Sequence, residues 1–217
     1  MAITQPQALH NTMKNLLKTV ILSATIGALV GSGATFLILR SQNPTQQQLI
    51  KDFYLTENAV HVSPHALRKK MDKGETDYTV VDLRSSQEYE KEHIIGAINI
   101  PTYKDPNTSI SLEGERQEKE RILRQFRELP KKKDIIVYCY SMPCMTGRKI
   151  GKLLAENGIF VKSLNIGWNE WRYFWNLWNH DGETPTDFKD YVVSGKEPGK
   201  PKIKDTFSPC KVGELGC

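Results

Sequence analysis

The feature that most constrains how this chain folds is the stretch DIIVYCYSMPCMTGRKIGKLL, Asp134 to Leu154. Ile135, Ile136, Val137 and Tyr138 form a short, β-rich apolar run of the kind that fills a central strand covered on both faces. Ile150, Leu153 and Leu154 then fall on one helical face, with Thr146 and Gly147 as the expected helix start. Cys139 stands at the hand-over from strand to loop. In open α/β sheets ligands bind at the carboxyl ends of strands, where loop N–H groups and a helix N-terminus hold anions. A thiol at that place is expected to be exposed and electropositively surrounded, which favours its thiolate. The competing reading is that Cys139 packs as a small hydrophobe.

Composition narrows the classes. With 217 residues, 39% of them hydrophobic, the chain has room for one ordinary domain plus appendages. The net charge of +5 is spread, apart from the run Lys131, Lys132, Lys133. No interleaving of basic and aromatic residues points to nucleic acid, and none is expected as a partner. Four cysteines are too few for a disulfide scaffold, and their spacing matches no zinc pattern, so no metal or other cofactor is expected.

In chain order, residues 1–18 are polar and lack acidic side chains. Thr19 to Leu39 carries no charge, and at 1.5 Å per residue a helix of that length spans roughly 30 Å, the thickness of a bilayer core. It exceeds the apolar region of a cleavable signal, so a retained membrane anchor is expected. Ser23, Gly27 and Gly31 recur every fourth residue, a small-residue face on which two such helices can pair into a weak homodimer. Residues 40–58 read as a polar linker and residues 59–179 as the globular domain.

Within that domain, Val60 and Val62 alternate as a strand. Ser63 and Pro64 then open a helix through Leu67 and Met71. Tyr78 to Leu83 is a second strand, followed by a helix capped at Ser85 or Ser86 and containing Tyr89. Ile98 to Ile100 is a third strand, closed by Pro101. Turn formers fill the chain to Leu112, and Glu115 to Leu129 presents Ile122, Leu123, Phe126 and Leu129 on one helical face. Phe160 to Leu164 is a further strand before a tryptophan-rich helix around Trp168 to Trp178. Strands alternating with helices at these lengths predict an α/β domain with a largely parallel sheet. Residues 180–217, with Pro185, Pro198, Gly199, Pro201 and Pro209, read as an extended tail that wraps the domain at most. Cys210 and Cys217 fall in it, paired with each other or free.

The soluble part resembles the rhodanese-like sulfurtransferase superfamily. VVDLRSSQEYEKEHIIGAINIP, Val80 to Pro101, is similar to the family string, with Asp82, Arg84, Glu88, Tyr89, His93, Gly96, Ala97 and Pro101 at matching positions. IIVYC is similar to the family's strand into its catalytic cysteine, and LNIGWNEW, Leu164 to Trp171, resembles its closing segment. The resemblance implies a three-layer rhodanese-like fold and Cys139 as the sulfur carrier. The sequence departs at Glu92, Ile95 and Ile166, and above all in the loop YSMPCMTGR, which holds a second cysteine and places Arg148 nine positions after Cys139.

The chemistry follows from the residue types. A sulfurtransferase needs a thiolate to attack a sulfane sulfur and N–H donors to hold the persulfide until an acceptor thiol takes it. Cys139 is the expected nucleophile. The expected binding loop is Tyr140, Ser141, Met142, Pro143, Met145, Thr146, Gly147 and Arg148. Amides from Tyr140 to Met145 would form the cradle, and Arg148 would attract a small anionic donor such as thiosulfate or a persulfide. Cys144 reads as a second thiol able to take the sulfur or close a disulfide with Cys139, or as a loop-packing residue. His93 reads as structural, and the tryptophans as helix packing.

The alternatives are a dithiol redox protein using Cys139 and Cys144 and a non-catalytic binding module. A phosphatase is disfavoured because Met145 stands where such a loop needs its arginine. Lys14 and Lys18 on one side of the anchor, against Arg40 and Lys51 on the other, predict a cytoplasmic N-terminus and an extracytoplasmic, periplasmic domain.

Overall fold

The computed structural model describes residues 5–41, 44–108, 116–179 and 186–204. It divides the chain into two compact units, Met1–Tyr54 and Leu55–Cys217.

The first unit holds helix α1, Gln5–Ser41, and most of α2, Gln46–Val60. Within α1, Thr12–Leu37 has a mean hydropathy of 1.8 and is long and apolar enough to cross a membrane. The helix begins well before the expected Thr19, because no breaker separates the polar start from the apolar run. Thr19, Thr25 and Thr35 turn their hydroxyls back onto the carbonyls of Asn15, Ile21 and Gly31, which satisfies them without water.

Within the expected linker, Gln46 onward is helical, and Thr45 opens α2 with its hydroxyl accepting from Gln48 N–H. Glutamine is a good helix former, so polarity there marks exposure and not loss of structure. Val60 ends this helix instead of opening a strand.

The second unit is built on a five-stranded sheet in the order β1-β6-β5-β2-β4, with every pairing parallel. Its strands are β1 (His61–Val62), β2 (Tyr78–Asp82), β4 (Ala97–Asn99), β5 (Asp134–Tyr138) and β6 (Lys162–Leu164). A short β3, His93–Ile94, lies apart from this sheet. The central β5 has period-two side chains that serve two cores. Ile136 and Tyr138 pack with Val80 of β2, with Leu67 and Met71 of α3 (Pro64–Asp72), and with Trp168, Trp171 and Trp175. Ile135 and Val137 pack on the other face with Val81, with Ile122, Leu123 and Phe126 of α5 (Arg116–Arg127), and with Ile150 and Leu154 of α6 (Met145–Ala155). Helices on both faces of a parallel sheet make the expected three layers.

Local signals read correctly at the starts of α3 and α4 (Ser86–Lys91), whereas α6 begins at Met145 with Cys144 as its N-cap, ahead of the expected Thr146 and Gly147. Ser63 accepts from Ala66 N–H with Pro64 at the first helical position. Ser85 forms a capping box with Glu88 at the head of α4. Other bounds shift. The third strand is Ala97–Asn99, Phe160 is exposed ahead of β6, and the tryptophan helix is only α7, Trp168–Arg172, followed by a 3₁₀ turn at Trp175–Leu177. Leu112 and Glu115 lie outside the described residues.

The largest correction concerns the tail. Residues 186–204 belong to the fold: a 3₁₀ turn, Phe188–Tyr191, leads into β7, Val192–Val193, which pairs antiparallel with β3. Tyr191 is fully buried and donates to Asp72 Oδ1 at 2.8 Å. Gly195 N–H reaches Glu90 O, and Lys204 N–H reaches Asp72 O. Pro185, Pro209, Cys210 and Cys217 lie outside the described residues.

Candidate functional site

Strand β5 delivers Cys139 to the carboxyl edge of the sheet, and neighbouring elements fix the loop that follows. Cys139 O and Tyr140 O accept from Trp168 N–H and Asn169 N–H, both at 2.8 Å, so the start of α7 grips the loop backbone. Gly167 makes this approach possible: a Cβ there would stand 2.1 Å from Ser141 N and 2.4 Å from Tyr140 C. Ser141 O accepts from Cys144 N–H at 3.0 Å, closing a turn that carries the chain back toward Cys139. The two sulfurs consequently stand 3.1 Å apart. Tyr140 donates to Glu88 Oε2, and Tyr103 hydrogen-bonds Thr146 Oγ1, so both phenols brace the loop. The Tyr103 oxygen is 4.0 Å from Cys139 Sγ. Burial raises both phenols above their ordinary range and keeps them protonated.

Beneath the loop, a cavity of about 20 Å³ is lined by Cys139, Cys144, Arg148, His61, Ser163 and Asn165, among others. That is room for one water-sized atom. Cys139 is only 5% exposed and Cys144 is half-buried.

Two thiols this close share a proton, and their surroundings decide where it rests. The hydrogen bond between them lowers Cys144 most, to about 4, with further help from the Thr146 hydroxyl and N–H at the head of α6. The same hydrogen bond, then burial, pushes Cys139 far above an ordinary thiol. Cys144 stands at the N-cap of α6, where the helix dipole favours a thiolate, so its thiol is the more acidic of the pair.

Behind the site, Asp82 and Arg84 are buried and paired, with Arg84 Nη2 2.6 Å from Asp82 Oδ2 and donating to Glu92 O at 2.8 Å. Tyr138 donates to Asp82 as well, and Trp168 covers the guanidinium at 4.2 Å. His93 stacks on Tyr89 at 3.7 Å, with Nδ1 2.8 Å from Tyr89 O.

The Rhodanese-like domain family profile matches residues 63–173, just over half of the chain. The chain belongs to the rhodanese-like domain family. A relative is the HTH-type transcriptional regulator Rv0324 of Mycobacterium tuberculosis, 31% identical over 49% of this chain and 38% of that one. The chain thus spans well under half the length of that curated relative. Among solved structures, the BH2092 protein of Bacillus halodurans is 24% identical with a TM-score of 0.47, over 70% of this chain and 88% of that one. The solution structure of a rhodanese-like domain from Anabaena sp. is 20% identical with a TM-score of 0.39, over 73% of this chain and 95% of that one.

In this rhodanese-like domain the expected site residues cluster, with three corrections. Cys139 is buried instead of exposed, because the Ser141–Cys144 turn folds over it. The more acidic thiol is Cys144, because the later cysteine reaches the helix N-cap. The amide cradle differs from the expected one: Met142 N–H donates to Glu170 Oε1 and Cys144 N–H closes the turn, while Tyr140 N–H and Thr146 N–H act on the sulfurs. Pro143 is an exposed turn residue, and Met145 and Gly147 belong to α6. Arg148 is exposed, and its Nη1 lies 3.3 Å from Met142 O. His61 at the cavity and Tyr103 at the sulfur were missed. Neither lies in a motif, and only the sheet order brings His61 opposite Ser163.

Proposed function

We propose that the protein is a sulfurtransferase or persulfide carrier that takes sulfane sulfur onto Cys139 and passes it to an acceptor thiol. The observation that carries this reading is the one-atom cavity at the paired sulfurs. Such a cavity admits the tip of a donor, its sulfane sulfur, and leaves the donor's body outside, where Arg148 supplies positive charge.

In the first step the proton shared across the 3.1 Å contact rests on Cys144, which donates to Cys139 and leaves it as the thiolate. Cys139 attacks the sulfane sulfur of thiosulfate, a new S–S bond forms, the donor's S–S bond breaks, and sulfite leaves with that bond's electron pair. Of the two sulfurs, Cys139 gives the more basic thiolate and hence the stronger nucleophile. The Tyr140 N–H and the Tyr103 hydroxyl hold the persulfide. Acceptor attack on the outer sulfur restores Cys139.

The test loads the full chain with a sulfane donor and locates the added sulfur by mass. Cys139→Ser should abolish loading and Cys144→Ser should keep it. Loading that survives in Cys139→Ser and vanishes in Cys144→Ser would move the active centre to the second cysteine. Arg148→Ala should weaken donor capture more than the bound-state rate.

We further propose that α1 anchors the chain in the cell membrane with its N-terminus in the cytoplasm and its domain outside, on the balance of Lys14 and Lys18 against Arg40 and Lys51. A reporter fused after Gln48 that works only in the cytoplasm overturns this orientation.

A further inference from the structure

We propose that the second thiol makes this site self-resolving: after Cys139 is persulfidated, Cys144 displaces the outer sulfur as hydrosulfide and leaves a Cys139–Cys144 disulfide. The protein then acts as a sulfide-releasing sulfane reductase whose acceptor is a dithiol reductant. This rests on the sulfur-loading reading above and assigns it a product and a second substrate class.

Three observations carry the inference. The sulfurs are 3.1 Å apart with no side chain between them, about 1 Å from bonding distance. Their approach needs no change in sheet or helix, since the Ser141–Cys144 turn already holds Cys144 against Cys139. The cavity beside them has room for one water-sized group and is lined by Arg148, a cation suited to a departing anion. An acceptor from solution has a harder route to the persulfide, because Cys139 is only 5% exposed. The internal thiol has the higher effective concentration.

The step balances. Cys144 holds the proton taken from Cys139, and the Cys139 persulfide is an anion. Cys144 sulfur attacks the inner sulfur of Cys139, and the bond from that sulfur to the outer sulfur breaks. The outer sulfur leaves with the electron pair and takes the Cys144 proton as HS⁻. The sulfane sulfur is reduced to sulfide, and the two thiols are oxidised to the disulfide. Exchange with an external dithiol restores both thiols and oxidises that dithiol.

The experiment uses the full chain in detergent with Cys210→Ser and Cys217→Ser, so that no other thiol of the chain competes. One equivalent of thiosulfate is added with no thiol reductant present. Sulfite, hydrosulfide and protein mass are then measured, and loading is repeated with a low-molecular-weight persulfide, read by mass alone. The expected result is one hydrosulfide for each sulfite and a protein lighter by two hydrogens, with a second burst after dithiothreitol treatment and its removal.

Cys144→Ser keeps a favoured N-cap residue, so the fold of α6 is retained. It should release sulfite, hold the added sulfur and give no hydrosulfide. A protein that retains the added sulfur with Cys144 present overturns the inference and leaves the transfer reading standing. Hydrosulfide release that persists in Cys144→Ser also overturns it. Failure of both donors to change the protein's mass overturns the transfer reading, and the inference with it.

Discussion

A decisive perturbation is the pH at which the loop thiols are alkylated. An ordinary cysteine with a pKa near 8.5 is about 3% thiolate at pH 7 and about 0.03% at pH 5. With Cys144 held to about 4, the pair stays anionic across that whole range. Lower basicity costs nucleophilicity: at a Brønsted slope of about 0.45, a drop of roughly 4.5 units slows the thiolate about 100-fold. The gain in thiolate at pH 7 is only about 30-fold, so Cys144 should react about three-fold slower than a free cysteine there. At pH 5 the gain is about 3,000-fold, and Cys144 should react about 30-fold faster. The assay is iodoacetamide labelling of the full chain in the Cys210→Ser/Cys217→Ser background, followed by peptide mapping. Label should appear on half-buried Cys144 before buried Cys139, at a rate nearly flat from pH 5 to pH 8. Cys139→Ala removes the donor and should move the profile toward that of an ordinary thiol, whereas Cys139→Ser keeps a hydroxyl donor and should move it less. A rate that rises tenfold per pH unit up to the ordinary thiol range, or first labelling of Cys139, would refute the shared-proton argument.

Other perturbations address the scaffold. Asp82→Ala leaves Arg84 charged and buried without its partner, and should cost about 3–5 kcal/mol in denaturant unfolding; a loss below 1 kcal/mol would mean that water reaches the guanidinium. Burial lowers the His93 pKa, so the unfolded state binds more protons between that depressed value and about 6.5, and stability should fall as pH drops through this window. His93→Gln should flatten that part of the profile, and an unchanged slope would assign it to other groups. Gly167→Ala forces a Cβ against the Ser141 backbone and should cost about 1–3 kcal/mol along with slower sulfur loading, while unchanged loading would show that the loop does not need α7. Tyr191→Phe removes the hydrogen bond to Asp72 and should lower stability by about 1 kcal/mol; no loss would detach the 186–204 segment from the cooperative unit.

What the sequence disclosed and what it hid differ by the range of the interactions. Strand β5 and helix α6 were legible because each states its burial locally, through a continuous apolar run and a three-to-four-residue period. The cap at Ser63 was legible for the same reason, and that of α4 to within Ser85 or Ser86, since donor and acceptor lie within three residues. The tail was not: Tyr191 is buried by Asp72 and Trp175, and Val192–Val193 is a strand only because β3 offers an edge. A proline- and glycine-rich segment that packs through isolated anchors has no period to read. Helix α2 was missed in the opposite sense, since a polar exposed helix lacks the apolar face by which helices are recognised.

The active loop combines both limits. Its two cysteines and its following helix were visible, and their meeting was foreseen as one of two outcomes. The sequence reading placed thiolate character at Cys139, but relative acidity depends on depth below the surface and on the place of the N-cap, both set by the Ser141–Cys144 turn. Sequence order suggests that the cysteine nearer the strand is the exposed one. The turn reverses this by folding the later cysteine over the earlier, so that Cys139 lies on the floor of the site and Cys144 forms its rim. A donor that reaches Cys139 meets a second sulfur 3.1 Å from the one it engages. In the proposed reaction, that proximity is what lets the second thiol take part.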